Sequence, residues 1–244
     1  FIHKLTLDLT KTEFSTVFGN GNGEPNISPT AFLIDICNRI YVSGWGADSP
    51  NFGMPSSFGT NGLVTTSDAY KKTTDGNDFY FFVLTEDAKA LEYASFFGGN
   101  GSGFDGADEH VDGGTSRFDK AGIVYQAVCA GCGGTNLFPT TSGVWSKTNN
   151  ADNCNLGAIK FDFQPPIVLA DALADPSITG CVPLNVKFTN KSKNATNYFW
   201  DFDDNNNTST LTNPNFTYTK TGVYNVMLVA WDPNACNEAD TAYT

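Results

Sequence analysis

The chain repeats itself with a period of roughly 75–85 residues, and a recurring unit of that length points to an architecture that reuses one supersecondary block. Four matches fall in the same order. Phe14-Ser-Thr-Val-Phe-Gly-Asn-Gly returns as Tyr93-Ala-Ser-Phe-Phe-Gly-Gly-Asn, an aromatic strand running into a glycine turn. Ile34-Asp-Ile-Cys-Asn-Arg-Ile-Tyr-Val-Ser returns loosely as Phe118-Asp-Lys-Ala-Gly-Ile-Val-Tyr-Gln, a hairpin with Asp35 or Asp119 ahead of its turn. Thr65-Thr-Ser-Asp-Ala-Tyr-Lys-Lys-Thr returns as Thr140-Thr-Ser-Gly-Val-Trp-Ser-Lys-Thr, in a loop where packing alone would not force likeness. Finally, Phe1-Ile-His-Lys-Leu, Phe79-Tyr-Phe-Phe-Val-Leu and Leu156-Gly-Ala-Ile-Lys-Phe occupy equivalent places.

Each unit reads as strands. Phe 20, Tyr 9 and Trp 4 are spread among Gly 24 and many Thr, Asn and Asp, the pattern of short aromatic strands cut by turns. The nearest thing to helical periodicity, Glu86 to Tyr93, reads as a turn between strands. The expected strands are 30–36, 40–45, 78–84 and 91–97 in one unit. In the next they are 115–119, 123–129 and 157–163, after which Gln164-Pro-Pro breaks the pattern. Residues 1–19 would then be the third and fourth strands of an upstream unit, and the chain a piece of a longer protein. Four antiparallel strands per repeat is the plan of a propeller blade.

These residues resemble the repeat family named for seven-bladed bacterial propellers. The hairpin match is Asp35 to Gly44 and the loop match is Phe138-Pro-Thr-Thr-Ser-Gly143. The resemblance covers residues 1–163, with 1–19 ending one blade, 20–97 a whole blade and 98–163 three strands of another. After a linker at 164–170, residues 171–244 read as short alternating strands: Leu184 to Asn190, Asn197 to Phe202 and Gly222 to Ala230. Tyr198-Phe-Trp-Asp-Phe-Asp-Asp, Asn213-Pro-Asn-Phe-Thr-Tyr218 and Gly222-Val-Tyr-Asn-Val resemble the PKD family, with Asp203 where that family has Gly. The expected fold class is therefore all-β: incomplete propeller-like blades followed by an immunoglobulin-like PKD sandwich.

Lys+Arg 14 against Asp+Glu 26 gives a formal charge of −12, which repels phosphate backbones and anionic lipid. Nucleic acid and membrane insertion are thus excluded as expected partners. The longest apolar run near a module boundary, Ile167 to Ala174, is broken by Asp171 and falls short of the ~20 residues a membrane helix needs. Six cysteines in an acidic, Asn- and Thr-rich chain point to an oxidising, extracellular compartment.

Cys181 precedes the first strand of the second module and Cys236 follows its last long strand. A bridge between them would close about 55 residues and contribute roughly 4 kcal/mol. Cys37, Cys129, Cys132 and Cys154 have no pairing fixed by sequence. Cys129-Ala-Gly-Cys132 has zinc-ligand spacing and His110 could join three cysteines, but without a second CxxC disulfides are favoured. Asp105, Asp108, Glu109 and Asp112 lie among glycines in 98–114, giving hard oxygen ligands on a pliable loop, a calcium candidate; a solvated acidic loop is the plainer reading. Asp201, Asp203 and Asp204 are a second acidic group that an Asx turn also explains. No catalytic residues are expected: His3 and His110 lack a Gly-x-Ser-x-Gly or His-Glu-x-x-His companion. Trp45, Tyr70 and Trp145 are loop aromatics that stack on sugars or, as expected here, bury between blades.

The two resemblances imply a non-enzymatic structural or adhesive module of a large secreted bacterial surface protein, linked to gliding motility or adhesion and exported by the type IX system. Its partners would be other domains of the same polypeptide, surface polysaccharide or other surface proteins, with no cofactor required beyond the candidate calcium. The alternative is an accessory carbohydrate- or calcium-binding region of a secreted polysaccharide-degrading enzyme.

Overall fold

The computed structural model describes residues 1–46, 59–101, 109–111, 116–119, 122–163, 166–175 and 179–244. Among them every regular element is a β-strand. The chain divides into two compact units, Phe1–Phe163 and Gln164–Thr244.

The first unit holds three open antiparallel sheets. Strands β1 (Ile2–Leu5) and β2 (Thr12–Thr16) pair with each other. Strands β3 (Ser28–Ile34), β4 (Ile40–Trp45), β5 (Phe79–Leu84) and β6 (Leu91–Phe97) form a four-stranded meander in chain order. Strands β7 (Ser116–Phe118), β8 (Ile123–Ala130) and β9 (Asn155–Asp162) form a third sheet.

The middle sheet is covered on both faces, which explains why β4 and β5 are apolar almost without alternation. Ile40, Val42, Tyr80 and Phe82 share one buried cluster, against which Ile2 and Phe14 of the first sheet pack. Phe79 and Phe81 point the other way, into a cluster with Val124, Val128, Ile159 and Phe161 of the third sheet. The Phe81 and Phe161 rings stack with centroids 4.7 Å apart. Each such fully buried aromatic is worth about 1.5–3 kcal/mol of transfer free energy.

Two pairs of turns match each other in detail. Between β1 and β2, Thr6 N–H donates to Lys11 O, Leu9 N–H to Thr6 O, and Thr6 Oγ1 to Asp8 Oδ1. Between β5 and β6, Thr85 N–H donates to Ala90 O, Ala88 N–H to Thr85 O, and Thr85 Oγ1 to Asp87 Oδ1. Leu9 and Ala88 both sit at positive φ, 60° and 55°. The β3–β4 and β7–β8 turns are a second matched pair. Asp35 and Asp119 each accept through a carboxylate oxygen the backbone N–H four residues on, from Arg39 and Ile123, and each accepts a tyrosine hydroxyl, from Tyr41 and Tyr125. Asx side chains that bond their own turn fix hairpin register locally, so these paired turns share geometry as well as composition.

The second unit is a sandwich of two sheets. One contains β10 (Ala172–Asp175), β11 (Leu184–Asn190) and β14 (Asn215–Tyr218) in the order β10-β11-β14. The other contains β12 (Asn197–Asp201), β13 (Thr208–Ser209), β15 (Met227–Trp231) and β16 (Ala239–Tyr243) in the order β13-β12-β15-β16. Its core gathers Val186, Phe188, Trp200, Phe202, Tyr218, Val226 and Leu228.

Three expectations need correction here. The segment 167–170 is no linker. Val168 N–H donates to Asn237 Oδ1 and Ala170 N–H to Asp240 Oδ2, while Leu169 exchanges backbone bonds with Lys193. The last long strand begins at Met227, because Gly222 to Asn225 lie outside the ladder and Val223 is exposed.

Cys181 is a free, exposed cysteine, so the expected Cys181–Cys236 bridge is not formed. Strand order gives the reason. Cys181 sits ahead of the start of β11, whereas Cys236 lies in the turn after β15, whose last residue Trp231 pairs with Asn197 at the start of β12. The β11–β12 connection reaches that same end, so the seven residues of β11, about 23 Å of strand, separate the two cysteines.

Candidate functional site

Two groups of buried and half-buried polar side chains meet at the short segment 109–111, between β6 and β7 of the first unit. The turn before β5 builds the first. Gly76 N–H donates to Thr74 Oγ1 and Asn77 N–H to Asp75 Oδ1, and this self-bonded turn delivers Asp78 to the buried foot of β5. Lys71 Nζ donates to Asp78 Oδ1 at 2.7 Å, to Gly98 O at 3.1 Å and to Gly99 O at 2.6 Å. Gly101 N–H donates to Asp75 Oδ2 at 2.7 Å.

Glu109 completes this group. It is 1% exposed and accepts long contacts from Gly99 N–H, 3.4 Å to either carboxylate oxygen. Gly98 makes the room: a Cβ there would overlap Asp78 Oδ1 and stand 2.6 Å from Glu109 Oε2. Burial pushes the Glu109 carboxyl up to about 9, with Gly99 N–H opposing and the charges of Asp78 and Asp75 adding to the rise. Burial also raises Asp78, against its hydrogen bond from Lys71, and Asp78 Oδ2 is buried without a hydrogen-bond partner. At neutral pH Glu109 therefore holds its proton, because a buried carboxylate beside another carboxylate is disfavoured.

The second group is sulfur and imidazole. His110 N–H donates to Cys129 O and Cys129 N–H to His110 O, so an isolated antiparallel bridge sets His110 opposite the end of β8. Beyond β8 the chain turns through Gly131, at φ 67°, where a Cβ would overlap Thr135 O. Gly134 and Thr135 N–H both donate to Gly131 O. Asn149 Nδ2 donates to Gly131 O at 2.8 Å and to Asn153 O at 2.6 Å, and Gly133 N–H to Asn153 Oδ1 at 3.2 Å. These bonds fold 149–154 back onto the turn and bring Cys154 to Cys129, with which it forms a disulfide. Cys132 is a buried thiol beside it, Sγ 3.7 Å from His110 Nδ1. The four ligand atoms of His110, Cys129, Cys132 and Cys154 all lie within 4.8 Å of one another.

The other expected site residues are dispersed or fall elsewhere. Asp105, Asp108 and Asp112 lie outside the described residues. Glu109, grouped with them as a surface acid, is buried instead, because the glycine at 98 leaves it an interior place. Cys37 lies in the β3–β4 turn, its N–H donated to Asp35 Oδ1 at 2.8 Å. His3 Nε2 is 3.0 Å from Thr12 Oγ1 on the exposed β1–β2 hairpin. Of the three aromatics, Trp45 is in β4 and packs 5.6 Å from the His110 ring. Tyr70 stacks on Phe97 at 5.8 Å yet is 63% exposed, and Trp145 is 103% exposed, so both depart from the expected burial. Sequence reading missed Lys71, Asp75 and Asp78. Their one signal is the run Asp75-Gly-Asn-Asp ahead of the apolar β5, which reads as an ordinary turn.

In the second unit, Trp200 Nε1 donates to Leu211 O at 3.1 Å and Tyr218 hydroxyl to Phe202 O at 3.0 Å, tying both core aromatics to backbone. The acidic group beside them bonds its own turn. Asp203 N–H donates to Asp201 Oδ1, and Asp203 Oδ2 accepts Asn225 N–H. Asp203 has φ 55°, a left-handed conformation that favours glycine. The PKD domain family model matches residues 164–244. This unit is a PKD domain. A glycine at position 203 of the PKD pattern is thus explained by φ, and Asp203 offsets the left-handed cost with its bond to Asn225. No curated protein matches the chain.

Proposed function

We propose that this chain is a structural and adhesive part of a secreted bacterial cell-surface protein, without catalytic activity of its own. The PKD domain at 164–244 carries the reading, since such domains commonly occur in extracellular surface proteins and enzymes. The Cys129–Cys154 disulfide supports an oxidising location. The preceding sheets, with their matched turns, support blade-like repeats that hold loops at a fixed spacing, as in the surface proteins of gliding bacteria exported by the type IX system.

The mechanism is rigid presentation. Tension entering the PKD domain at 167–170 loads the bonds to Asn237 and Asp240 of one sheet edge together with the Leu169–Lys193 pair, so several bonds must break at once. Trp145, fully exposed on its loop, offers an indole face to sugars.

Surface labelling tests the location: on intact producing cells an antibody against the chain should bind and added protease should remove its epitope. Retention inside the cell would refute the proposal. A glycan array with the wild type and Trp145→Ala tests adhesion, and release of reducing ends from a bound polysaccharide would instead support the enzymatic alternative.

A further inference from the structure

We infer that, once the Cys129–Cys154 disulfide is reduced, Cys129, Cys132, Cys154 and His110 form a tetrahedral site for a borderline-soft divalent cation, zinc above all. The four ligand atoms come from three different segments, 110, 129–132 and 154, yet all lie within 4.8 Å of one another. Zinc bonds of about 2.3 Å to sulfur and about 2.0–2.1 Å to nitrogen give tetrahedral edges of about 3.8 Å between sulfurs and about 3.5 Å between sulfur and nitrogen. Cys132 Sγ and His110 Nδ1 are already 3.7 Å apart. Reduction needs only to let the Cys129 and Cys154 sulfurs part to the remaining edges.

The supporting shell is built for such a site. The His110–Cys129 bridge fixes one ligand opposite another through two backbone bonds. Gly131 at φ 67° turns the chain between the two CxxC cysteines, and Asn149, bonded to Gly131 O and Asn153 O, holds Cys154 against them. Three thiolates and one imidazole form a donor set that selects zinc over calcium or magnesium, whose ligands are oxygens.

The chemistry balances with a dithiol as reductant. Its two thiols pass two electrons and two protons to the Cys129–Cys154 bond and become a cyclic disulfide, leaving Cys129 and Cys154 as thiols. The cation then displaces three thiol protons to solvent, one each from Cys129, Cys132 and Cys154, and takes a lone pair from the His110 ring. Oxidation reverses this: the Cys129 and Cys154 thiolates pass two electrons to an acceptor disulfide, which takes two protons from solvent to become two thiols, the Cys129–Cys154 bond re-forms, and the cation leaves as Cys132 takes up a proton from solvent.

The test titrates the full chain, held in excess dithiol, with zinc against a chromophoric chelator and with cobalt(II) as a spectroscopic stand-in. One equivalent should bind, with sulfur-to-cobalt charge transfer and the strong visible bands of tetrahedral geometry. Oxidation by a small disulfide should release it. Cys132→Ser should weaken binding by more than about a hundredfold, since loss even of outer-shell partners costs 10–100-fold. His110→Gln, at a partly exposed position, should do the same while keeping the near-ultraviolet aromatic signal of the fold, so a folding defect in the first variant leaves the test intact. Changing Cys37, Cys181 and Cys236 together to Ser should leave affinity within about twofold, by the same ligand-loss reasoning. No cation bound by the reduced chain, equal binding by the oxidised chain, or equal binding by His110→Gln would each overturn the proposal.

Discussion

Glu109→Gln should change the pH dependence of stability more than any other single substitution in the first unit. Burial pushes the carboxyl up to about 9 in the folded chain from its ordinary value of 4.5. A raised folded value means that the fold binds the proton more tightly than the unfolded chain. Stability contributed by protonated Glu109 is therefore whole below pH about 4.5, falls as pH rises, and is lost once pH passes about 9. Between those limits the slope is about 1.4 kcal/mol per pH unit. Asp78 is displaced upward as well, by the same burial, so the neighbouring carboxyl acts in the same sense. Glutamine keeps the shape and an acceptor for Gly99 N–H but has no proton to lose. From pH 5 to pH 8 the variant should gain about 4 kcal/mol on the wild type, or about 10 °C in midpoint at 2–4 °C per kcal/mol for a unit of this size. Urea or thermal unfolding of both proteins at pH 5, 6, 7 and 8, followed by near-ultraviolet circular dichroism, reads the difference directly. Parallel pH profiles for the two would refute the buried, protonated assignment of Glu109.

In the PKD domain, Trp200→Ala should cost about 3–5 kcal/mol by emptying a fully buried aromatic position, measured by denaturant unfolding. Asp203→Gly should be nearly neutral, since relief of the left-handed backbone offsets the lost bond to Asn225. Asp203→Ala loses the bond without the relief and should cost about 1–2 kcal/mol. In the native chain a maleimide should label Cys181 rapidly, because it is exposed, and Cys132 only after unfolding; peptide mapping of the labelled sites checks both, and slow labelling of Cys181 would reinstate a bridge there.

Much of the architecture was legible because its signals are local. The aromatic alternation and the Asp-centred turns place β4, β6 and β11 at their observed ends, and an Asx residue that bonds its own turn needs no distant partner to be read. The strand expected from Gly222 begins late because the alternation starts upstream of the point where the ladder begins, and Val223 keeps the pattern while facing solvent. The cysteines failed for a different reason. Spacing in sequence carries no record of which end of a sandwich a residue occupies, so Cys181 and Cys236 looked like neighbours. The His110 to Cys129 bridge and the inward turn of Glu109 are also long-range outcomes: a backbone pairing in one case and a missing Cβ at Gly98 in the other.

Tyr70 and Trp145 extend the argument, because they occupy the same place in the repeated Thr-Thr-Ser loop and differ in surroundings. Tyr70 stacks on Phe97 of β6 at 5.8 Å and meets Phe161 of β9 edge-on at 6.3 Å, so its ring joins the middle sheet to the third. Trp145 follows the same loop sequence and is 103% exposed. Tyr70→Ala should therefore cost about 1 kcal/mol, the scale of its aromatic contacts, although the ring is otherwise exposed. Trp145→Ala should leave stability within about 0.5 kcal/mol, as for a surface side chain, and should remove a tryptophan contribution with the red-shifted emission of an indole in water. If both substitutions destabilised the first unit equally, the two loops would be packed alike, and Trp145 would not be an aromatic face free to meet a partner.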